Sequence, residues 1–384
     1  MFKFDFDIDD ADNAEELLGI NLESLSIQDP STKTEQLLEL EPFSELTLTT
    51  LLDGVPDQIS YSPLFISLSS TRKSTCLLRR DLFDARFQLI SEGAGDVVDE
   101  PAINQQDENN ASDLKTARKA LEFLSAPSDL VPGVYEGGLK TWECSLDLVD
   151  YLDSLKETSK YESFVGKKIL EVGCGTGVPT MYIFRELLYS SKPGDTPLQK
   201  TVLQLQDYNA SVLQLVTLPN ILLTWYTSTH ADAYRTSIKD DDMAPIIQDA
   251  ASGELPITPE FKTAFLKTLQ DLNITLRFFA GSWDTFNPTT TSTDESPKYD
   301  ILLTSETIYR NESLQPLINL MRRACPDQSV NKTYLCLVAA KVLYFGVGGG
   351  VSDFLQAVEK EKAAVETVLE RKSGVGRKIL RLRW

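Results

Sequence analysis

Residues Ile169–Pro179 read ILEVGCGTGVP. An apolar run carrying an acid, Glu171, leads into glycines at 173, 175 and 177. A strand that breaks into a glycine-rich turn before a helix is a nucleotide-type site. Glycine lets the backbone come close to a ligand, and ligands sit at the carboxyl ends of parallel strands. A P-loop needs GxxxxGK[ST], which is absent. A dinucleotide fingerprint needs GxGxxG/A, and Val178 stands at its third position. What remains is acid-x-Gly-x-Gly-x-Gly from Glu171 to Gly177. By itself it also fits any tight strand-to-helix turn.

The surrounding chain supplies the sheet. Downstream, TVLQLQDYN, ILLTWYT, NITLRFFAGSW, KYDILLTSE and TYLCLVAAKVLYF read as strands. SLDLVDYLDSL, MYIFRELLY and ASVLQLVTLPN read as helices, the last stopping near Pro219. Phe354, Val358, Val365 and Leu369 share one predicted helix, and RKILRLRW a terminal strand. Strands alternating with helices predict an α/β fold, a parallel sheet with helices on both faces. Residues 1–35 read as an acidic disordered arm, 36–95 as an N-terminal extension with short strands and a turn at DGVPD, and 96–113 as a linker. The main domain is expected over 114–384, with an insertion at 228–272 and a polar surface loop at NPTTTSTDESP.

Composition narrows the function. Net charge is −20, which disfavours direct nucleic-acid or anionic-membrane binding. Residues 1–60 hold fifteen Asp/Glu against two Lys, net −13, so a basic partner fits better. The acid-alternating Phe2, Phe4 and Phe6 suit either a solvated tail or a docking arm. The five cysteines show no CxxC spacing and His230, read as a surface residue, is the one histidine, so no metal site is expected. The start is too acidic for a signal or transit peptide, and no apolar run is long enough to span a membrane. The expectation is a cytoplasmic or nuclear protein with reduced thiols.

Two further residues bear on the glycine loop. Asp207 ends the next predicted strand, where a carboxylate accepts hydrogen bonds from ribose hydroxyls or caps the following helix. Trp283, in AGSWD, either covers an adenine ring or packs as ordinary core.

Several blocks together resemble the protein-histidine N-methyltransferase family of the seven-β-strand S-adenosylmethionine (SAM) class. They are YEGGLKTWECSLDLVDYL, ILEVGCGTG, QDYNASVLQLVTLPN, ILLTSETIY and AKVLYFGVGGGV, in order over most of residues 135–351. The resemblance implies a seven-stranded Rossmann-like class I methyltransferase sheet, SAM as cofactor with S-adenosylhomocysteine as product, and no metal. It implies that Gly173, Gly175 and Gly177 cradle the methionine part of SAM and Asp207 its ribose. Trp283 then flanks the adenine, and Trp142 and Glu143 lie beside the cofactor. Glu171, Cys174, Tyr208 and Ser305 complete the implied cofactor set. Glu306 to Tyr309 matches an acid-x-x-aromatic motif of related protein methyltransferases, with Glu where many relatives carry Asp. The implied partner is a basic large-subunit ribosomal protein, methylated at one histidine by a monomer, with the Nε2 position expected. A protein-lysine methyltransferase and a non-catalytic chaperone for a ribosomal protein are the alternatives.

Neutral imidazole is already a nucleophile near neutral pH, so the protein needs mainly to align it and hold one tautomer. Glu306 is the candidate acceptor for the ring N–H, with Tyr309 shaping the slot and Asn209 a second candidate. Phe345, Gly346 and Gly348, in the triple-glycine stretch, are the candidate substrate contacts, where a Cβ would clash with a peptide.

Overall fold

The computed structural model describes residues 41–71, 73–91, 137–157, 163–192, 199–237, 251–286, 298–326, 334–344 and 349–384. The predicted acidic arm, the 96–113 linker, the polar loop at 287–297, part of the 228–272 insertion, and Phe345, Gly346 and Gly348 lie outside them.

The sheet is built on β4 (Lys168–Val172), β5 (Thr201–Asp207), β7 (Ile274–Ala280), β8 (Ile301–Ser305) and β9 (Leu335–Lys341). These strands are parallel neighbours in the order β7-β5-β4-β8-β9. Their residues are buried almost without break, because helices cover both faces. Successive residues of β4 serve opposite cores: Ile169 packs in one cluster, Leu170 and Val172 in the other. Strand order reverses between β4 and β8, so the crevice at their carboxyl ends is the switch point where a ligand is expected.

Two antiparallel strands close one side: β11 (Arg377–Arg383) pairs with β9, and β10 (Ala364–Arg371) with β11. On the other edge β1 (Ser44–Leu46) adds an eighth strand, antiparallel to β7. The seven strands expected from the resemblance are thus present, with one from the N-terminal region beside them. After α1 (Leu48–Asp53) come β2 (Gln58–Leu68) and β3 (Lys73–Arg80), longer than the short strands expected. β2 also pairs with β6 (Gly253–Pro256), a strand inside the 228–272 stretch. The N-terminal region and that stretch therefore share one small three-stranded sheet. α2 (Leu82–Leu89) follows β3.

Three sequence expectations are corrected. ILLTWYT is helical, not a strand: α5 (Ala210–Val212), a π turn (Leu213–Thr217) and α6 (Leu218–Tyr226) run on through Pro219. The π turn shifts the hydrogen-bond ladder just where proline has no N–H to give. Every residue of α6 is buried, so its apolar run carries no periodicity to separate helix from strand. Likewise Phe354 and Val358 lie on α10 (Val351–Lys360), whereas Val365 and Leu369 lie on β10. Lys362, at φ 58°, turns the chain between them. His230 is half-buried rather than on the surface, with its ring within 3.0 Å of Leu188 O.

β1 braces the turn that follows β7. Phe43 stacks on Phe279 at 5.2 Å and meets Phe286 edge-on at 4.7 Å. Ser282 N donates to Glu41 O (2.9 Å), Phe43 N to Thr285 Oγ1 (2.9 Å), and Arg277 grips Glu45 through two bonds of 2.7 and 2.6 Å. Phe43→Ala should cost about 1–3 kcal/mol of stability in chemical denaturation, since a large ring leaves an otherwise packed site. An unchanged midpoint would show that β1 is not braced in this way.

Candidate active site

Gly173 (φ 60°), Gly175 (φ 51°) and Gly177 (φ 69°) form the turn between β4 and α4 (Val178–Tyr189), all in the left-handed region. Space is as restrictive as conformation. A Cβ on Gly173 would lie 2.5 Å from Thr307 Cγ2, and one on Gly175 3.1 Å from Gly138 O. The turn is tied to β5 by Cys174 N donating to Gln206 O (2.8 Å). Thr217, in the π turn, donates to Gly175 O (2.6 Å).

Asp207 sits buried at the end of β5. Its Oδ2 accepts from Gly175 N (2.9 Å) and its Oδ1 from Asn209 N (3.1 Å). Trp283 Nε1 donates to Gln206 Oε1 (2.8 Å), the oxygen that also takes Gly173 N (3.3 Å). Trp283, Gln206, Asp207 and the glycine turn are thus one bonded group. Tyr208 is half-buried beside it, and Ser305 is half-buried at the end of β8. The Asn209 amide donates to Gly137 O (3.2 Å), so Asn209 holds the entering loop.

Two expected cofactor residues are spent internally. Glu171 is buried, and its Oε2 accepts from Thr180 N (2.9 Å) and the Thr180 hydroxyl, in the first turn of α4. Burial pushes its carboxyl up to about 8, against the Thr180 bonds that pull it down. Cys174 is buried too, its thiol raised well above the usual range by burial and by Asp207.

The second group gathers around Glu306. It has φ 58°, a conformation glycine favours, and its N–H donates to Ala339 O (2.9 Å). The side chain is 10% exposed, and Oε1 is buried with no hydrogen-bond partner. Lys341 Nζ lies 3.7 Å from that oxygen, 3.3 Å from Glu143 Oε2 and 4.5 Å from the Trp142 ring centroid. Cys144, the second residue of α3 (Glu143–Glu157), lies beside them, its thiol pushed up by burial and then by Glu306. The Tyr344 phenol is raised well above its usual range by burial and by Glu306. Tyr309 meets Tyr344 edge-on at 6.3 Å. Gly349 packs on the Tyr309 backbone, where a Cβ would lie 2.5 Å from Tyr309 O.

The two groups adjoin, because Thr307, next to Glu306, touches the Gly173 position. Sequence reasoning missed Lys341, Tyr344, Cys144, Gln206 and Thr307. The available signal for Lys341 was a lone cation ending the apolar strand LCLVAAK. Among the described residues no cluster of three or more His, Cys, Asp or Glu could hold a metal, and no helix is long and apolar enough to cross a membrane.

The strand order and the glycine turn at its switch point define a class I methyltransferase fold. No family model matches the chain. It is 30% identical over 338 residues to Histidine protein methyltransferase 1 of Schizosaccharomyces pombe, covering 87% of this chain and 83% of that protein. Against Histidine protein methyltransferase 1 of Saccharomyces cerevisiae it is 32% identical over 281 residues, covering 72% and 67%. The chain belongs to the histidine protein methyltransferase family. A solved magnesium protoporphyrin IX methyltransferase from Synechocystis, with bound SAM, is 9% identical at a TM-score of 0.30, covering 63% of this chain and 79% of that one.

The burial of Glu171 has a signed consequence. Its folded carboxyl titrates near 8 against an ordinary 4.5, so its contribution to stability is complete below 4.5 and is lost as pH rises through 8. Glu171→Gln should weaken that decline: the drop in melting midpoint between about pH 5 and 8 becomes smaller than in the parent. Parallel curves for the two proteins would refute the buried-carboxyl account.

Proposed function

We propose that the chain transfers a methyl group from SAM to a ring nitrogen of a histidine in a protein substrate. The family relationship supports the reaction class. The residues fit the cofactor: the glycine turn lies at the switch point of the sheet, and Asp207, Trp283 and Gln206 converge beside it. SAM supplies a sulfonium-activated methyl for in-line displacement. Thr141 donates to Thr176 of the glycine turn (3.1 Å), and the next two residues, Trp142 and Glu143, meet Lys341 beside Glu306.

The observation that carries the reading is the unpartnered Glu306 oxygen. A buried acceptor without a donor is costly unless something else supplies one. Lys341 already occupies the cation seat over Trp142, at 3.7 Å from Oε1 and beyond hydrogen-bond reach. Within the fold the Cys144 thiol and the Tyr344 hydroxyl already turn to this carboxyl, and the N–H of a neutral imidazole is the donor a substrate would bring to Oε1. By accepting it, Glu306 fixes the tautomer and leaves the lone pair on the other nitrogen. As that nitrogen bonds the methyl group, the ring becomes positive, and the Glu306 carboxylate balances the charge. The N–H proton then leaves by way of Oε1, giving neutral methylhistidine. Tyr309 and Tyr344 wall the slot.

We extend the proposal to the substrate: a basic large-subunit ribosomal protein, methylated at Nε2 by a monomer in the cytoplasm or nucleus. The net charge of −20 supports a basic partner. Purified protein incubated with labelled SAM and ribosomal proteins from cells lacking it should label one histidine, located by mass spectrometry. Label on lysine would overturn the substrate class. Glu306→Gln should lower turnover about 100-fold while leaving SAM affinity unchanged, because it removes a charge the transition state uses and nothing the cofactor touches. Weakened SAM binding at normal turnover would remove Glu306 from the chemistry.

A further inference from the structure

Apolar side chains exposed singly are ordinary on a protein surface, but gathered at the mouth of a site they mark what binds there. Among the described residues eleven large hydrophobics are exposed. Four of them, Trp142 (36%), Val342 (41%), Leu343 (54%) and Val375 (45%), belong to the segments that frame Glu306 and Lys341. Val342 and Leu343 directly follow Lys341, whose ammonium lies between Trp142 and Glu306. Val342 N donates to Gly376 O (2.7 Å), and the Gly376 Cα stands close enough that a Cβ there would be 3.3 Å from Val342 Cγ2. That bond fastens the turn carrying Val375 beside Val342. Leu343 is held in turn by a bridge to Gly350, at the start of α10.

We infer that Trp142, Val342, Leu343 and Val375 form the rim on which the protein substrate docks. The substrate presents an extended segment with an aliphatic or aromatic side chain beside the target histidine. This rests on the proposed reading that a histidine ring reaches Glu306. A histidine side chain is short, so the backbone bearing it has to cross the residues next to Lys341, and those residues are apolar and uncovered. The backbone on both sides of the rim is pinned, by the Val342–Gly376 bond and the Leu343–Gly350 bridge, so the surface is formed before the substrate arrives. Trp142 has the planar, half-exposed ring typical of residues that dominate binding energy. The rim grips side chains flanking the histidine and leaves the chemistry to Glu306, so it acts on substrate affinity and not on the methyl-transfer step.

The test is the concentration dependence of methylhistidine formation from labelled SAM. The substrate is large-subunit ribosomal protein extracted from cells lacking the enzyme. Leu343→Asp and Val375→Asp should each raise KM about 10-fold or more, since each removes an apolar contact and puts a charge in its place. Turnover at saturation should stay within about twofold and SAM affinity should not change. Phe65→Asp and Phe87→Asp, at positions more exposed still (60% and 68%) on β2 and α2, should leave KM unaltered. Leu343→Met should keep the parent's KM. Should the aspartate variants fail to fold, Leu343→Ser and Val375→Ser take their place with the same expected direction. An unchanged KM in folded rim variants, or an equal rise in the Phe65 and Phe87 variants, overturns the rim while leaving the histidine reaction standing. If the parent protein places no methyl on histidine, the underlying reading falls and the rim falls with it.

Discussion

The turn after β4 has no room for a side chain, and the site depends on that. Gly173 abuts Thr307, which fixes the separation between the turn after β4 and the turn after β8. Gly175 abuts Gly138, which fixes the loop entering from the N-terminal side. That loop continues to Trp142, whose ring positions the Lys341 ammonium, and Lys341 faces Glu306. Four segments from distant parts of the sequence are thus registered through two places where only hydrogen atoms intervene. Any Cβ would push the glycine turn away from one group or the other, and the cleft between them would change shape.

Two buried glutamates show how neighbours set the use of a carboxyl group. Glu171 has one oxygen spent on the first turn of α4 and no cation to offset its burial, and its carboxyl is pushed up. Glu306 has a lysine close by and an acceptor oxygen left over. The first suits a structural tie within the fold. The second suits a group meant to receive a donor from outside. Both stand at strand ends bordering the same glycine turn, one beneath it and one beside it.

The parallel strands were legible because each is short, apolar and followed by a turn signal, with glycines after β4 and an acid at the end of β5. The motif itself was legible for the same reason that it is restrictive: few residue types survive there. ILLTWYT was misread because a helix buried on all sides has no polar face to reveal its period. Val365 and Leu369 continue the spacing of Phe354 and Val358 by coincidence, and only the turn at Lys362 separates them. Glu171 carries the motif's acid, yet its role follows from Thr180, a neighbour that the spacing alone does not make a partner. Lys341 was out of reach in another way. Its meaning comes from Trp142, Glu143 and Glu306, brought together by three different elements. Residues 41–91 looked peripheral, because the pairing of β1 with β7 and of β2 with β6 reaches remote segments and leaves no local trace.

That remote pairing bears on how the chain acquires its structure. β1, at residues 44–46, finds its partner at 278–280, and β2 finds β6 some way past 250. During synthesis β2 meets β3, the strand that follows it, at once, but β1 and the other edge of β2 wait until residues 253–280 are made. Contacts so far apart in sequence are slow to close, because the loop entropy is lost before any bond rewards it. Through that interval the stretch Gln58–Tyr61 lacks the partner that β6 later provides. An open strand edge of this kind invites mispairing until β6 and β7 emerge.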